Sequence, residues 1–286
     1  MRMQSYALET PEVDLAYDVV GPLPTADGQP PLIMIGQPMD ASGFRVLSTY
    51  FPDRTVVTYD PRSGGRSVRK DGRVEQTPQD QARDVHAVIE AIGGGPVEMF
   101  ASSGGAVVAL ALVAAFPNDV AVLVAHEPPM NPVLPDAAAA HRARAHYLET
   151  YQAKGYGPGM AAFQTMYAWE GEFTDAYFAQ PDPDPTQFGL PGEDDGSRDH
   201  PLLSGRAVAI TDYHPDIAAL AAAPTRVVIA VGEETGEVYT ARTARATARA
   251  LGQEATPFPS HHLGFLDGVG RPEAFATRLR EVLSAD

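Results

Sequence analysis

Pro96-Val97-Glu98-Met99-Phe100-Ala101-Ser102-Ser103-Gly104-Gly105-Ala106-Val107-Val108-Ala109-Leu110 runs from an apolar extended segment through a turn of small residues into an apolar helix-forming segment. Residues 96–100 read as a buried strand. Residues 106–116 read as a buried helix, too short for the roughly 18 residues that span a bilayer. A serine on a tight strand-to-helix turn must take a strained backbone, and the residues two positions either side of it must be small. Ala101 and Gly105 meet that demand around Ser103, whereas centring the turn on Ser102 would put Phe100 in the crowded position. Ser103 is therefore the candidate nucleophile.

On the N-terminal side of this stretch, residues 3–8 and 13–19 read as two strands around a Pro-containing turn, an antiparallel entry hairpin. Residues 31–35 form a short apolar run ending at Gly36, and residues 54–59 another ending at Asp60-Pro61. Thr77 then reads as a helix N-cap with Pro78 in the first turn, and Val85, Val88, Ile89 and Ile92 form the apolar stripe before Gly93-Gly94-Gly95 stops the helix. Residues 120–125 make the next strand. Strand and helix alternating at this spacing predict an α/β architecture, a mainly parallel doubly wound sheet with helices on both faces. Such a sheet collects its functional loops at the carboxyl ends of its strands.

The pattern changes after residue 130. Residues 137–154 and 159–170 are helical in period, residues 180–200 are rich in Pro, Asp and Gly, and no buried-strand run occurs there. The strand pattern returns at residues 225–231, followed by a helix over 239–251, a short strand at 255–257 and a last helix over 272–283. The expected organisation is one core domain, residues 1–130 and 215–286, interrupted by a helical cap insertion at 131–214. Met130, Tyr147, Tyr151, Phe163, Met166, Tyr167 and Trp169 supply that insertion with core residues and a few candidates for a pocket lining.

Composition narrows the chemistry. The 286 residues carry 21 Lys and Arg against 37 Asp and Glu, a formal charge of −16, which argues against nucleic acid or an anionic membrane as a partner. With no cysteine, thiolate metal sites and cysteine nucleophiles are excluded. The acidic run Gly192-Glu193-Asp194-Asp195-Gly196 lacks the ligand spacing of a calcium loop, so it predicts a solvated loop and no metal. Neither phosphate-binding glycine fingerprint is present, and no cofactor is expected. The first 17 residues show no basic stretch leading into an apolar run, so the expected location is cytoplasmic and the expected partner a small-molecule substrate, with the oligomeric state left open.

A serine hydroxyl needs a base, and histidine has the pKa for that task. Of the eight histidines, only His261 and His262 follow the last strand, in Pro257-Phe258-Pro259-Ser260-His261-His262-Leu263-Gly264-Phe265, a loop placed at the carboxyl edge of the sheet beside the Ser103 turn.

At this point the chain resembles the α/β-hydrolase family over nearly its whole length. Gly36-Gln37-Pro38-Met39 is similar to the family's oxyanion loop, with Ile35 in place of the usual histidine. Asp60-Pro61-Arg62-Ser63-Gly64-Gly65-Arg66-Ser67 is similar to its Asp-x-Arg-Gly-x-Gly-x-Ser turn, Ser103 falls on the nucleophile elbow and His262 on the family's histidine. The resemblance implies a serine hydrolase without a cofactor, acting on an ester, lactone or related substrate. Ser103 would attack the carbonyl, His262 (with His261 as the fallback) would carry the proton, and the N–H groups of Gln37 and Gly104 would hold the oxyanion. The orienting acid has two candidates. The family's usual Gly-x-x-Asp is here Gly232-Glu233-Glu234-Thr235, so Glu234 would serve only with a shifted loop. Glu127, in Ala125-His126-Glu127-Pro128-Pro129, matches members that place the acid one strand earlier, as certain haloalkane dehalogenases do; it is the preferred reading and Glu234 the alternative. Dehalogenation itself would need an aspartate at position 103. The resemblance also admits a non-hydrolytic ligand-binding protein and a cofactor-free haloperoxidase-like activity.

Overall fold

The sheet is assembled from nine strands among the described residues: β1 (Met3–Glu9), β2 (Val13–Val20), β3 (Leu32–Gln37), β4 (Val56–Tyr59), β5 (Val68–Arg69), β6 (Val97–Ser103), β7 (Val120–His126), β8 (Arg226–Gly232) and β9 (Thr256–Phe258). The computed structural model describes residues 2–26, 28–62 and 64–285. In space the strands run β1-β2-β4-β3-β6-β7-β8-β9, with the two-residue β5 against β2. The entry hairpin is antiparallel as expected, pairing Met3 with Val20 and Glu9 with Asp14. From β4 across to β9 every pairing is parallel.

Burial on both faces explains why these strands read as unbroken apolar runs. Side chains alternate along β3 and β6: Ile33, Ile35, Met99 and Ala101 enter one core cluster, while Leu32, Met34 and Phe100 enter the other. Helices α1 (Arg45–Thr49), α2 (Pro78–Ala91) and α3 (Gly104–Ala115) connect the strands up to β7. Thr77 caps α2 by accepting from the Asp80 N–H at 3.1 Å, with Pro78 in the first turn. Helix α3 is buried on all sides from Gly104 to Val113, so it carries no amphipathic stripe.

The chain from β7 to β8 forms α4 (Ala137–Lys154), α5 (Tyr156–Ala168), α6 (Asp175–Phe178), α7 (Val208–Thr211) and α8 (Ile217–Ala222); α9 (Tyr239–Ala250) and α10 (Pro272–Leu283) follow β8 and β9. Tyr147, Tyr151 and Met166 pack in a third cluster with Tyr239 from α9, whereas Met130, expected among them, belongs to the core of the sheet. Helix α5 begins earlier than the expected residue 159 despite Gly157, Pro158 and Gly159. Proline is tolerated in a first turn. A Cβ on Gly159 would sit 2.6 Å from Tyr151 Cβ and 2.8 Å from its Cα, so this glycine lets α5 close against α4. No helix among the described residues is long and apolar enough to cross a membrane.

Strand order reverses at β3. The chain leaves β3 for β4 on one side, then returns past it to β6 on the other. Loops leaving β3 and β6 therefore diverge and open a crevice at their carboxyl ends, the usual ligand position in such sheets. Gln37 and Ser103 are paired across that crevice.

Candidate active site

Strand β6 runs three residues beyond its expected end, because the ladder to β3 continues through Gly36–Ser102 and Gln37–Ser103. The turn into α3 is then made by Ser103 alone, at φ 56° and ψ −129°. The crowding predicted for this turn is visible at both following glycines. A Cβ on Gly105 would lie 2.7 Å from Gly36 Cα, and one on Gly104 2.8 Å from the Gln37 carbonyl oxygen. Neither position admits a side chain without moving backbone.

Three non-glycine residues among those described take positive φ: Ser103 at 56°, Glu127 at 48° and Ser260 at 72°. All three follow or end strands at the same edge of the sheet. Such backbone costs of order 1–3 kcal/mol per residue and persists where the surroundings over-determine it, typically at functional sites. Here these positions carry the candidate nucleophile, the candidate acid and the loop of the candidate base.

Glu127 is fully buried, and its N–H extends the ladder to the Ala230 carbonyl at 3.0 Å. Oε1 accepts from the Gly232 N–H at 2.9 Å and the Thr235 hydroxyl at 2.6 Å; Oε2 accepts from the Thr240 hydroxyl at 2.8 Å and from His262 Nδ1 at 2.6 Å. Burial alone would raise the pKa of this carboxyl, but the hydrogen bond from His262 and the neighbouring His126, His262 and Thr235 carry it well below the ordinary carboxylate range. An ionised carboxylate only accepts, so Nδ1 of His262 is the donor in this bond. Nε2 has no hydrogen-bond partner among the described residues, and neither has the Ser103 hydroxyl.

The two candidate acids differ in their surroundings. Glu234 is 45 % exposed and pairs with Arg271 at 2.5 Å, away from His262. His261 accepts from the Leu263 N–H through Nδ1 at 3.2 Å, a turn contact, and does not reach Glu127. Thr235, standing where the usual acid would be, donates to Glu127 instead. Sequence reasoning did not identify Thr235 and Thr240 as these donors, because a threonine at the head of a loop or helix signals a cap long before a carboxylate partner.

The candidate oxyanion loop is held from two sides. Asp60 accepts from the Ala41 N–H at 3.0 Å and from the Arg66 N–H and Nε at 2.8 and 2.7 Å, so its motif fixes the loop after β3; Ser63 of that motif lies outside the described residues. The buried Gln37 side chain donates to Gln76 Oε1, and the Gln76 N–H donates to the Arg206 carbonyl at 2.8 Å. Gln37, Ser103 and Gly104 then line one cavity of about 50 Å3, roofed by residues of α4, α5 and the 202–211 segment.

His126, the last residue of β7, was not a candidate. It is fully buried, its ring lies 6.0 Å from that of His262 at an interplanar angle of 21°, and Nδ1 is 3.4 Å from the Ser102 hydroxyl. Burial lowers its pKa to about 4, against the pull of Glu127, with His262 and His261 adding to the fall. Asp194 of the acidic run pairs with Arg198 at 2.6 Å, and no metal-ligand cluster occurs among the described residues.

No family model matches the chain. Over 129 residues it is 30 % identical to YraK of Bacillus subtilis (strain 168), named an uncharacterized hydrolase; the match covers 45 % of this chain and 46 % of that relative, under half the length of either. Solved structures match throughout. A thermophilic esterase from Thermogutta terrifontis superposes with a TM-score of 0.65 at 21 % identity, covering 98 % of both chains. A carboxylesterase from Bacillus subtilis gives 0.62 at 16 % identity, covering 99 % of this chain and 92 % of the other. An α/β-hydrolase from Sphaerobacter thermophilus gives 0.60 at 20 % identity, over 98 % of this chain and all of that one (100 %). The likeness is one of fold.

Proposed function

We propose that this chain, whose fold is that of the α/β-hydrolases, is a cofactor-independent serine hydrolase acting on an ester-type bond, with Ser103, His262 and Glu127 as its triad and the helical insertion at 131–214 as a cap. The observation that carries the reading is the Glu127–His262 pair: a fully buried carboxylate that accepts from Gly232, Thr235 and Thr240 and also holds His262 Nδ1–H, leaving Nε2 without a partner among the described residues at the sheet edge that also bears Ser103.

In this reading Ser103 Oγ attacks the substrate carbonyl as His262 Nε2 takes the hydroxyl proton. Glu127 keeps the ring in the one useful tautomer and stabilises the imidazolium formed. The N–H groups of Gln37 and Gly104 stabilise the oxyanion, where loss of one donor typically costs about 100- to 1,000-fold in rate. His262 returns the proton to the leaving oxygen, leaving an acyl-Ser103 ester. Water then attacks the acyl carbon as the same histidine takes its proton, and His262 passes that proton to Ser103 Oγ as the acyl–oxygen bond breaks and the acid leaves.

The test is turnover of short-chain p-nitrophenyl esters by the wild type and by Ser103→Ala and His262→Ala. Hydrolysis nearly abolished in both variants is the expected result. Binding of esters without turnover in the wild type would favour the ligand-binding alternative, for which the unbonded Ser103 hydroxyl is the supporting observation. Oxidative halogenation dependent on Ser103 would favour the haloperoxidase-like alternative.

A further inference from the structure

The cavity over Ser103 is small, uncharged and not wholly apolar. Its floor is Gln37, Pro38, Ser103 and Gly104, and no Asp, Glu, Lys, Arg or His lines it among the described residues. At about 50 Å3 the cavity suits a short acyl chain better than a long one.

Two tyrosines line this space. Tyr147 (5 % exposed) comes from α4 and Tyr167 from α5, and neither hydroxyl has a hydrogen-bond partner among the described residues. Two other tyrosines of the same cluster are satisfied, Tyr239 donating to Asn131 Oδ1 at 2.6 Å and the Tyr151 hydroxyl accepting from the His200 N–H at 3.1 Å; Tyr177, also without a hydroxyl partner among the described residues, does not line this cavity. Neither hydroxyl oxygen is itself buried, so both are open to a partner, the polar tips of otherwise apolar side chains. Burial pushes the Tyr147 phenol up to about 12, and Tyr167 further, so both remain protonated donors at any working pH. The rings are also held in place. Tyr147 meets Phe163 edge-on at 5.3 Å, Phe163 stacks on Tyr167 at 4.2 Å, and Tyr167 meets Tyr239 edge-on at 5.1 Å.

We propose that this chamber selects esters of short, uncharged acids bearing a hydrogen-bond acceptor within the acyl chain, such as alkoxyacyl or hydroxyacyl esters, with Tyr147 and Tyr167 as the donors that read it. The inference rests on the serine-hydrolase reading and deepens it. A site built to hydrogen-bond one substrate atom discriminates strongly against an analogue lacking that atom, because its own groups are then left unpaired.

Methoxyacetyl and butyryl esters isolate the effect, since they differ by one ether oxygen in place of a methylene. The measurement is kcat/KM for their p-nitrophenyl esters, each divided by its hydroxide-catalysed rate constant to remove intrinsic reactivity. The wild type is expected to favour methoxyacetate by at least about tenfold. That ratio should fall toward unity in Tyr147→Phe, in Tyr167→Phe, or in the double variant. p-Nitrophenyl octanoate should be cleaved far more slowly than butyrate. A corrected wild-type ratio within twofold of unity, or one that neither tyrosine variant changes, would overturn this inference while leaving the hydrolase reading in place. Absence of Ser103-dependent turnover of either ester would overturn both.

Discussion

Replacing Glu127 by glutamine changes one oxygen for an NH2 group and leaves volume nearly constant, so its effects can be worked from four hydrogen bonds. The amide has two orientations. With its NH2 at the Oε1 position it opposes the Gly232 N–H, a backbone donor that cannot turn away, and strands it at a cost of about 1–3 kcal/mol. With its NH2 at the Oε2 position it opposes Thr240, whose hydroxyl can rotate to accept, and His262 Nδ1, which can accept only by giving up its proton to Nε2. The second orientation is the cheaper, and it puts the proton on the nitrogen that must be a base. A triad with its histidine in the wrong tautomer loses about 10⁴ in kcat.

Stability should fall as well, by about 2–4 kcal/mol at neutral pH, for the loss of charge-assisted bonds in a fully buried setting. Its pH dependence has a definite sign. Glu127 titrates lower in the folded chain than its ordinary value of 4.5, so its contribution is present above that value and is lost as pH falls through the folded pKa. The gap between wild type and Glu127→Gln should therefore narrow below about pH 4.5. The assay is steady-state ester hydrolysis with urea unfolding at pH 7 and pH 4, alongside Glu234→Gln, whose exposed pair with Arg271 predicts less than about a twofold rate change. Glu127→Gln within tenfold of wild type, with Glu234→Gln strongly impaired, would refute the reasoning.

Two other substitutions test the surroundings. Gly105→Ala would drive a Cβ against Gly36 Cα and the Ile35 carbonyl oxygen (2.7 and 2.8 Å), so urea unfolding should show a loss of about 1–3 kcal/mol or more; a neutral result would contradict the close approach of α3 to β3. His126 is held near pKa 4 in the folded chain against 6.5 when free, so the unfolded chain gains a proton first and stability is lost as pH falls between those values. From pH 7 to pH 5 this single group should remove about 2 kcal/mol, a loss that His126→Phe would abolish, and an unchanged pH slope in the variant would count against the assignment.

The sheet was legible because apolar runs of strand length alternate with helical periods, and because both faces of β3 and β6 are buried. The tight turn at Ser103 was legible because sterics there dictate the residue types around it. The contacts of Glu127 were harder to read: its link to His262 spans 135 residues, and the pairing of β7 with β8 brings Thr235 and Gly232 onto it. His126 escaped notice because a histidine at a strand end has no local signature of burial beneath the site. Helix α5 began earlier than its glycines suggest because the approach to Tyr151 outweighs intrinsic propensity.

The claim on which the account stands is that Ser103 is an activated nucleophile. Treating the folded protein with a fluorophosphonate and mapping the modified peptide tests it without knowledge of the substrate. Labelling at Ser103 is expected, lost on unfolding and reduced by orders of magnitude in His262→Ala. A folded protein that stays unlabelled at Ser103, or that labels at Ser102 or elsewhere instead, would contradict it.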